Sequence, residues 1–192
     1  MSRPRGRPSQ GQGLTLAEIL AAAFSLLEAG GERGLTLRSL AARLGVTPMS
    51  LYHHVENRAA LLRAMAEQVY AQVLEAPACA QAPRAQVRAL LERYFEAVTC
   101  HPQLTLALFG EPQAFAGAPQ RITERLTTLL AALTDEAALW RDILVDHAHG
   151  CGIAVAMCAC HGEAHDVVAM QAQYPRALER LLAQAPGARL TG

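Results

Sequence analysis

Residues 34–62, GLTLRSLAARLGVTPMSLYHHVENRAALL, contain the pattern that decides how this chain folds. Leucine and alanine recur at helical spacing before Gly45, and glycine is the residue that most often ends a helix. Thr47 stands where a helix N-cap is expected, and Pro48 follows at the first helical position, where its missing N–H costs nothing. The pattern predicts a helix over Leu37–Leu44, a tight turn and a short helix that begins at Pro48.

Two short helices joined in this way form a helix-turn-helix once a preceding helix completes a small core. Thr15 and Glu18 have the spacing of a capping box, so that earlier helix should begin directly after Thr15. Gly30 and Gly31 should end it. The helix after Thr47 has too few residues to serve as a core element. Its exposed face suits the major groove of DNA.

The composition favours a helical protein with a substantial core. Apolar residues make up 52% of the 192 residues, aromatic residues only 5%, and alanine and leucine dominate. We find no strand-like alternation, so the predicted fold is all-α: a three-helix DNA-binding domain followed by a helical regulatory and dimerisation bundle. The predicted organisation is a disordered basic arm over residues 1–13, the helix-turn-helix domain over 14–58, and the ligand-sensing domain over 59–192.

The charge of the chain is unevenly distributed. The formal net charge is +0, which argues against a general polyanion binder. Residues 1–74 nevertheless carry eight arginines against five glutamates, and residues 75–192 carry nine arginines against twelve acidic residues. The positive excess therefore lies in the part of the chain where a DNA-binding unit needs it.

The same stretch resembles the DNA-binding domain of TetR-type transcriptional regulators, most strongly the branch that contains the tetracycline repressor. The resemblance covers about residues 15–65. It is carried by short groups at fixed spacing: Gly34-Leu35-Thr36, Leu40-Ala41, Leu44-Gly45-Val46, Leu51-Tyr52, His54-Val55, and Asn57-Arg58 before Leu61-Leu62.

The resemblance implies which side chains meet DNA. Pro48 and Met49 can supply only apolar contacts, for example to thymine methyl groups, and Arg58 adds charge at a helix N-terminus that faces the backbone. Tyr52 and His54 should hydrogen-bond phosphates, and for both residues the alternative is local packing. The predicted DNA-binding residues of the folded domain are Arg38, Thr47, Pro48, Met49, Ser50, Tyr52, His53, His54 and Arg58.

The N-terminal arm contains Pro4-Arg5-Gly6-Arg7-Pro8, which resembles the core of an AT-hook. In such an arm Gly6 lets the backbone approach the floor of the minor groove, and Arg5 and Arg7 lie along its negative potential. The alternative is a solvated basic tail that contributes only through counterion release.

Cysteine and histidine residues cluster towards the C-terminus. The chain has five cysteines, an odd number with uneven spacing, which is more typical of free thiols than of disulfides. His147, Cys151, Cys158, His161 and His165 would share a face of one unbroken helix. A subset, Cys158, His161 and His165, could hold a soft metal, although small residues at a close helix crossing explain the same pattern.

By resemblance, the second half encloses a pocket for a small-molecule effector and forms a homodimer. Each candidate wall residue could equally be ordinary core. The candidate pocket residues are Met65, Val69, Tyr94, Val98, Leu106, Phe109, Trp140 and His147.

These features predict a ligand-responsive repressor that binds a palindromic operator as a homodimer and is released by its effector. The alternatives are a metal- or thiol-sensing regulator of the same fold, or an architectural protein that prefers A·T-rich DNA. We find no motif of an enzyme, such as a glycine-rich phosphate loop or a nucleophile elbow, and predict no cofactor. The chain shows no signal peptide and no apolar run of about 18 residues, so we expect a cytoplasmic location without membrane contact.

Overall fold

The computed structural model describes residues 14–75, 82–162 and 164–185. These ranges contain helices, turns and loops and no β-strand, which confirms the all-α prediction. The chain divides into two compact units, one that ends at Arg58 and one that begins at Ala59.

The first unit is built from three helices: α1 (Leu16–Gly34), α2 (Leu37–Leu44) and α3 (Pro48–Tyr52). The capping box predicted at the start of α1 is present, since the Thr15 N–H donates to Glu18 Oε2 at 2.8 Å and the Glu18 N–H donates to Thr15 Oγ1 at 3.2 Å. A kink at Gly31, where φ is 58°, interrupts α1 close to its predicted end.

The turn between α2 and α3 has the geometry that the sequence predicts. Gly45 adopts a left-handed conformation with φ 68° and donates its N–H to the last carbonyls of α2. This conformation strains any residue with a Cβ atom, which explains why glycine stands there. Thr47 then caps α3 by accepting the N–H of Ser50 at 3.3 Å. Leu40 and Leu51 are completely buried, so the two helices are fixed by a small apolar core.

The second unit contains six helices in the described part of the chain. Its helix α4 begins with Arg58, the last residue of the first unit. The helices are α4 (Arg58–Leu74), α5 (Pro83–Cys100), α6 (Pro102–Phe109), α7 (Ala118–Ala131), α8 (Ala137–Cys160) and α9 (Ala164–Gln184), with a short 3₁₀ turn at Pro112–Ala114.

Helix α8 is the centre of this unit, because it packs against α5, α7 and α9. It approaches α5 closely at Gly152, where an added Cβ would lie 2.7 Å from Val98 Cγ1. Glycine thus allows two helix backbones to approach where a larger residue would hold them apart. Helix α9 also contacts α5, because the buried ring of Tyr174 in α9 stacks on Phe95 of α5 with ring centroids 4.0 Å apart.

Pro175 lies in the last helical stretch, where a proline is expected to kink or split a helix, and the structure shows that it does not divide that stretch. Helix α9 runs from Ala164 to Gln184 with Pro175 inside it. The proline removes one backbone donor. The adjacent Tyr174 is anchored independently, because its buried hydroxyl donates to the carbonyl of Leu91 at 3.2 Å.

Helix α8 also qualifies the expectation that no segment could cross a bilayer. Among the described residues, α8 is long and apolar enough to do so by length and composition alone. Only 22% of its most apolar stretch is buried within the chain. The exposed apolar side chains on it include Leu139, Ile143 and Met157.

Candidate DNA-binding surface and ligand cavity

Helix α3 presents a short exposed surface above a buried anchor. Leu51 is completely buried, whereas Met49 is 69% exposed and Tyr52 is 49% exposed. Single exposed apolar side chains are common on protein surfaces, whereas neighbouring ones can form a patch that marks an interaction site. Pro48 and Thr47 are exposed beside them.

Thr47 and Ser50 hold the start of α3 in place and also border its exposed face. Their hydroxyl oxygens lie 3.0 Å apart, and Thr47 Oγ1 accepts the Ser50 N–H. A hydroxyl offers one donor and two acceptor positions, so each keeps capacity for a further hydrogen bond. The two residues can therefore cap the helix and still contact a base or a phosphate.

The remaining predicted contacts fall into two groups. Arg38, His53 and His54 are exposed in the first unit. Arg58 differs, since its guanidinium donates to Glu32 Oε1 at 3.3 Å and to the Leu35 carbonyl at 3.4 Å. The sequence could not show this, because the acceptors lie 23 and 26 residues away. Arg58 is thus held by residues of its own unit. Arg5 and Arg7 of the arm lie outside the described residues.

The second unit contains a cavity of about 340 Å³ bounded by α4 to α8. Its wall is mostly aromatic and aliphatic, with a few polar groups. The lining residues are Tyr70, Tyr94, Thr105, Leu108, Phe109, Phe115, Pro119, Ile122, Thr123, Arg141, Asp142, Val145 and His149.

A short polar contact in this wall joins Tyr94 of α5 to His149 of α8. The Tyr94 hydroxyl lies 2.6 Å from His149 Nε2. Burial raises the pKa of Tyr94, and it lowers the pKa of His149 against a weaker opposing effect of Asp146. Both shifts favour the uncharged forms, so this contact is a hydrogen bond between neutral groups.

A second hydroxyl pair closes the other end of the aromatic wall. Tyr70 lies 2.8 Å from Thr105 Oγ1, and the two groups are buried. Burial raises the pKa of Tyr70 to about 12, and the hydrogen bond with Thr105 opposes that shift only in part. The tyrosine therefore remains a neutral hydrogen-bonding group at physiological pH.

The two charged residues of the wall are paired with each other. Arg141 Nε donates to Asp142 Oδ1 at 2.7 Å, and Arg141 Nη1 donates to Thr127 Oγ1 at 3.3 Å. The carboxylate neutralises the guanidinium, so the wall of the cavity has no net charge.

The eight candidate pocket residues do not come together. Tyr94 and Phe109 line the cavity. Met65 and Val98 are buried, Leu106 is exposed, and Val69 and Trp140 are half-buried outside the cavity lining. His147 instead lines an open groove between α8 and α9, where its ring stacks on Tyr174 with centroids 5.5 Å apart.

The cysteine and histidine cluster does not form a ligand set. Helix α8 ends at Cys160 and α9 begins at Ala164, so His165 lies on a different helix from Cys158. Cys158 Sγ faces Met170 Sδ at 3.7 Å, and His161 Nδ1 lies 2.7 Å from the Met157 carbonyl. No three histidine, cysteine or acidic residues in the described ranges meet as a metal site requires.

Sequence reasoning missed several lining residues, including His149, Phe115, Arg141 and Asp142. His147 and His149 lie two residues apart on α8 and therefore face different sides of it. Which of the two borders the cavity depends on which neighbouring helices cover each side. The presence of Phe115 in the wall depends on the path of the loop between α6 and α7, which periodicity cannot predict.

The first unit matches a known protein family. Residues 19–65 match the family described as bacterial regulatory proteins, tetR family. The tetracycline repressor protein class A from transposon 1721 of Escherichia coli is 48% identical over 54 residues, which are 28% of this chain and 25% of that protein. The chain thus matches about a quarter of the length of this curated relative.

Solved structures share the fold over most of the chain. The TetR-Q116A variant from Acinetobacter baumannii AYE, crystallised with minocycline, has a TM-score of 0.67 and 24% identity, covering 88% of this chain and 95% of that one. BioQ bound to its double-stranded DNA operator has a TM-score of 0.65 and 24% identity, covering 88% of this chain and 96% of that one. Both units therefore have helical counterparts in known regulators.

Proposed function

We propose that the chain is a transcriptional repressor of the TetR type whose DNA binding is controlled by a small molecule, since residues 19–65 match the family described as bacterial regulatory proteins, tetR family. The observation that carries this proposal is the exposed face of α3. A capped helix with a buried Leu51 holds Met49 and Tyr52 outward, as a helix that enters a major groove requires.

The residues of the first unit that contact DNA in this proposal have two different roles. Thr47, Pro48, Met49 and Ser50 face the bases, whereas Arg38, Tyr52 and His54 hold the phosphate backbone. An arginine that contacts a phosphate contributes to affinity for every sequence. Its removal should weaken binding uniformly and lower the salt dependence by about one unit of slope.

The DNA flanking the gene provides a test with a matched control. Arg38→Ala should lose about ten-fold in affinity in an anisotropy titration, an effect of about 1.4 kcal/mol, while Arg33→Ala, another exposed arginine of the same unit, should bind as the parent does. Equal affinity of both variants at low salt would contradict the proposed surface.

We infer that the protein acts as a homodimer through α8. Leu139, Ile143 and Met157 recur on one side of that helix at helical spacing, with Gly150 between them. An apolar helix of which so little is buried within its own chain needs a further partner, and an identical copy gives a two-fold symmetric pair. Such a pair positions two copies of α3 on the two half-sites of a palindrome.

Sedimentation tests the dimer directly. Ile143→Glu should convert the protein to a monomer and abolish the two-fold footprint, whereas Leu106→Glu, at an exposed leucine of α6, should remain a dimer. A monomeric parent protein at micromolar concentration would overturn this part of the proposal.

We infer a cytoplasmic location, where the DNA lies, and assign no catalytic activity.

The cavity is the proposed effector site. Its volume of about 340 Å³ lies within the range of small-molecule sites, and aromatic walls with few polar groups are typical of them. Effector binding would shift the protein towards a state with lower affinity for the operator. A footprint that persists with every compound bound in the cavity would contradict this control.

A further inference from the structure

We propose that the cavity takes an uncharged aromatic molecule of about two fused rings carrying one hydroxyl or carbonyl group, whose polar atom meets the Tyr94–His149 pair. This inference rests on the proposed function only for the consequence of binding. The chemistry of the ligand follows from the cavity itself.

The polar groups of the wall already have partners. Thr123 Oγ1 donates to the Pro119 carbonyl at 3.0 Å, and Thr105 Oγ1 donates to the His101 carbonyl at 3.2 Å in addition to its contact with Tyr70. Because the protons of both threonine hydroxyls are already donated, a ligand that needs them as donors would have to break these contacts. An apolar ligand leaves them intact.

The charges of the wall argue against an ionised ligand. Arg141 is the cation that lines the cavity, and its guanidinium is held by Asp142 and Thr127. Asp142 already offsets the charge of the guanidinium, so a ligand carboxylate would gain less from Arg141, and a ligand cation would be repelled by it. Desolvating an unpaired ion in an aromatic cavity is costly, so a neutral molecule should bind best.

The rings in the wall define the shape of the ligand. Phe109 contacts His149 edge-to-face with centroids 4.9 Å apart, and Tyr94 lies 5.6 Å from Tyr70 at a tilt of 35°. Such offset and edge contacts extend readily to another planar ring. A volume of about 340 Å³ lies near the lower end of the range for small-molecule sites, which suits a ligand of about two fused rings.

The Tyr94–His149 pair gives the site its one adaptable polar contact. When the tyrosine donates to Nε2, its oxygen can still accept a hydrogen bond from a ligand hydroxyl. When the other imidazole tautomer donates to the tyrosine, the phenol proton becomes available to a ligand carbonyl. A neutral pair can thus serve a donor or an acceptor without a change in charge.

Three probes that share a naphthalene ring system test the ligand class on the full-length protein by calorimetry at pH 7. They are 2-naphthol, which is uncharged at this pH, the anion 2-naphthoate, and naphthalene, which lacks the polar atom. We expect 2-naphthol to bind at least ten times more tightly than 2-naphthoate. Equal or tighter binding of the anion would overturn the proposal, because Arg141 would then be an anion anchor.

Two variants test the location. Tyr94→Phe should weaken 2-naphthol binding about three- to ten-fold, as the loss of one buried hydrogen bond predicts, and leave naphthalene binding within about two-fold. Thr123→Trp should fill the cavity and abolish binding of both, while Thr128→Trp, at an exposed threonine of the same helix, should not. Unchanged binding of 2-naphthol in the folded Thr123→Trp protein would place the probe elsewhere and refute the site.

The outcome for the ligand is separable from the outcome for the regulator. Binding of 2-naphthol in the absence of DNA supports the cavity chemistry even if the operator titration fails. A protein that binds DNA but no neutral naphthalene derivative would retain its proposed function and refute this inference.

Discussion

Replacement of Gly152 by alanine tests the close helix crossing beside the proposed ligand site. Gly152 lies one turn after His149 on α8, and Val98 lies one turn after Tyr94 on α5. The crossing of the two helices therefore determines how closely the polar pair of the cavity can approach.

Two opposing effects decide the size of the change. Alanine is favoured over glycine inside a helix by about 1 kcal/mol. The new Cβ would lie 2.7 Å from Val98 Cγ1, 3.0 Å from Val98 Cβ and 3.3 Å from Thr99 Oγ1. Carbon atoms prefer a separation of about 3.5–4.0 Å. Since rotating the Val98 side chain moves Cγ1 but not Cβ, the helices must separate.

Overpacking of this kind costs about 1–3 kcal/mol, so the two effects leave a net loss of about 1 kcal/mol in the free energy of unfolding. Gly30→Ala is the control, because Gly30 is an exposed helical glycine with no atom within 4 Å of an added Cβ. That variant should gain about 0.5–1 kcal/mol. The two identical substitutions should thus change stability in opposite directions.

Urea unfolding followed by circular dichroism measures both variants. A double-mutant cycle with Val98→Ala identifies the contact, because Gly152→Ala and Val98→Ala should be less harmful together than their sum by about 1 kcal/mol. The Gly152→Ala variant should also lose affinity for 2-naphthol, since the Tyr94–His149 distance increases. Additive effects, or a Gly152→Ala protein as stable as Gly30→Ala, would refute the reasoning.

Three further predictions concern other contacts. Glu67 accepts the Ala118 N–H at 2.7 Å and forms an ion pair with Arg121. The hydrogen bond from Arg121 is the main cause that lowers the pKa of Glu67, and the Glu67 side chain is 45% exposed. Glu67→Gln should therefore lower the free energy of unfolding by only about 0.5 kcal/mol at pH 7. Urea titrations should show this difference disappearing as the pH falls below 4.5, the ordinary glutamate value, because a lowered pKa means that only the ionised carboxylate is stabilised. Arg58→Ala should destabilise the protein by about 1 kcal/mol through its lost contacts, and an unchanged melting temperature with weaker DNA binding would instead make it a phosphate contact. Pro175→Ala should raise the free energy of unfolding by about 2 kcal/mol, since proline is unfavourable inside a helix, and a stability loss would show that the proline ring packs better than we infer.

The sequence alone predicted the local structure of the first unit. Helix α2 lies over Leu37–Leu44 as the pattern indicated, Gly45 forms the turn and Thr47 caps α3. These features depend on interactions between residues at most five positions apart, so their physics is present in the sequence. The same reasoning identified exposed Met49 and Tyr52 as candidate contacts, and that role remains a prediction.

Tertiary packing decided the interior of the second unit. Whether His147 or His149 borders the cavity, whether Arg58 is available to DNA, and how α9 passes through Pro175 all depend on residues that are distant in sequence. The sequence determined the helix-turn-helix because capping and helical periodicity are local interactions. Only the tertiary structure could determine the cavity, because its wall is formed by side chains from five helices and a loop whose mutual positions no local pattern specifies.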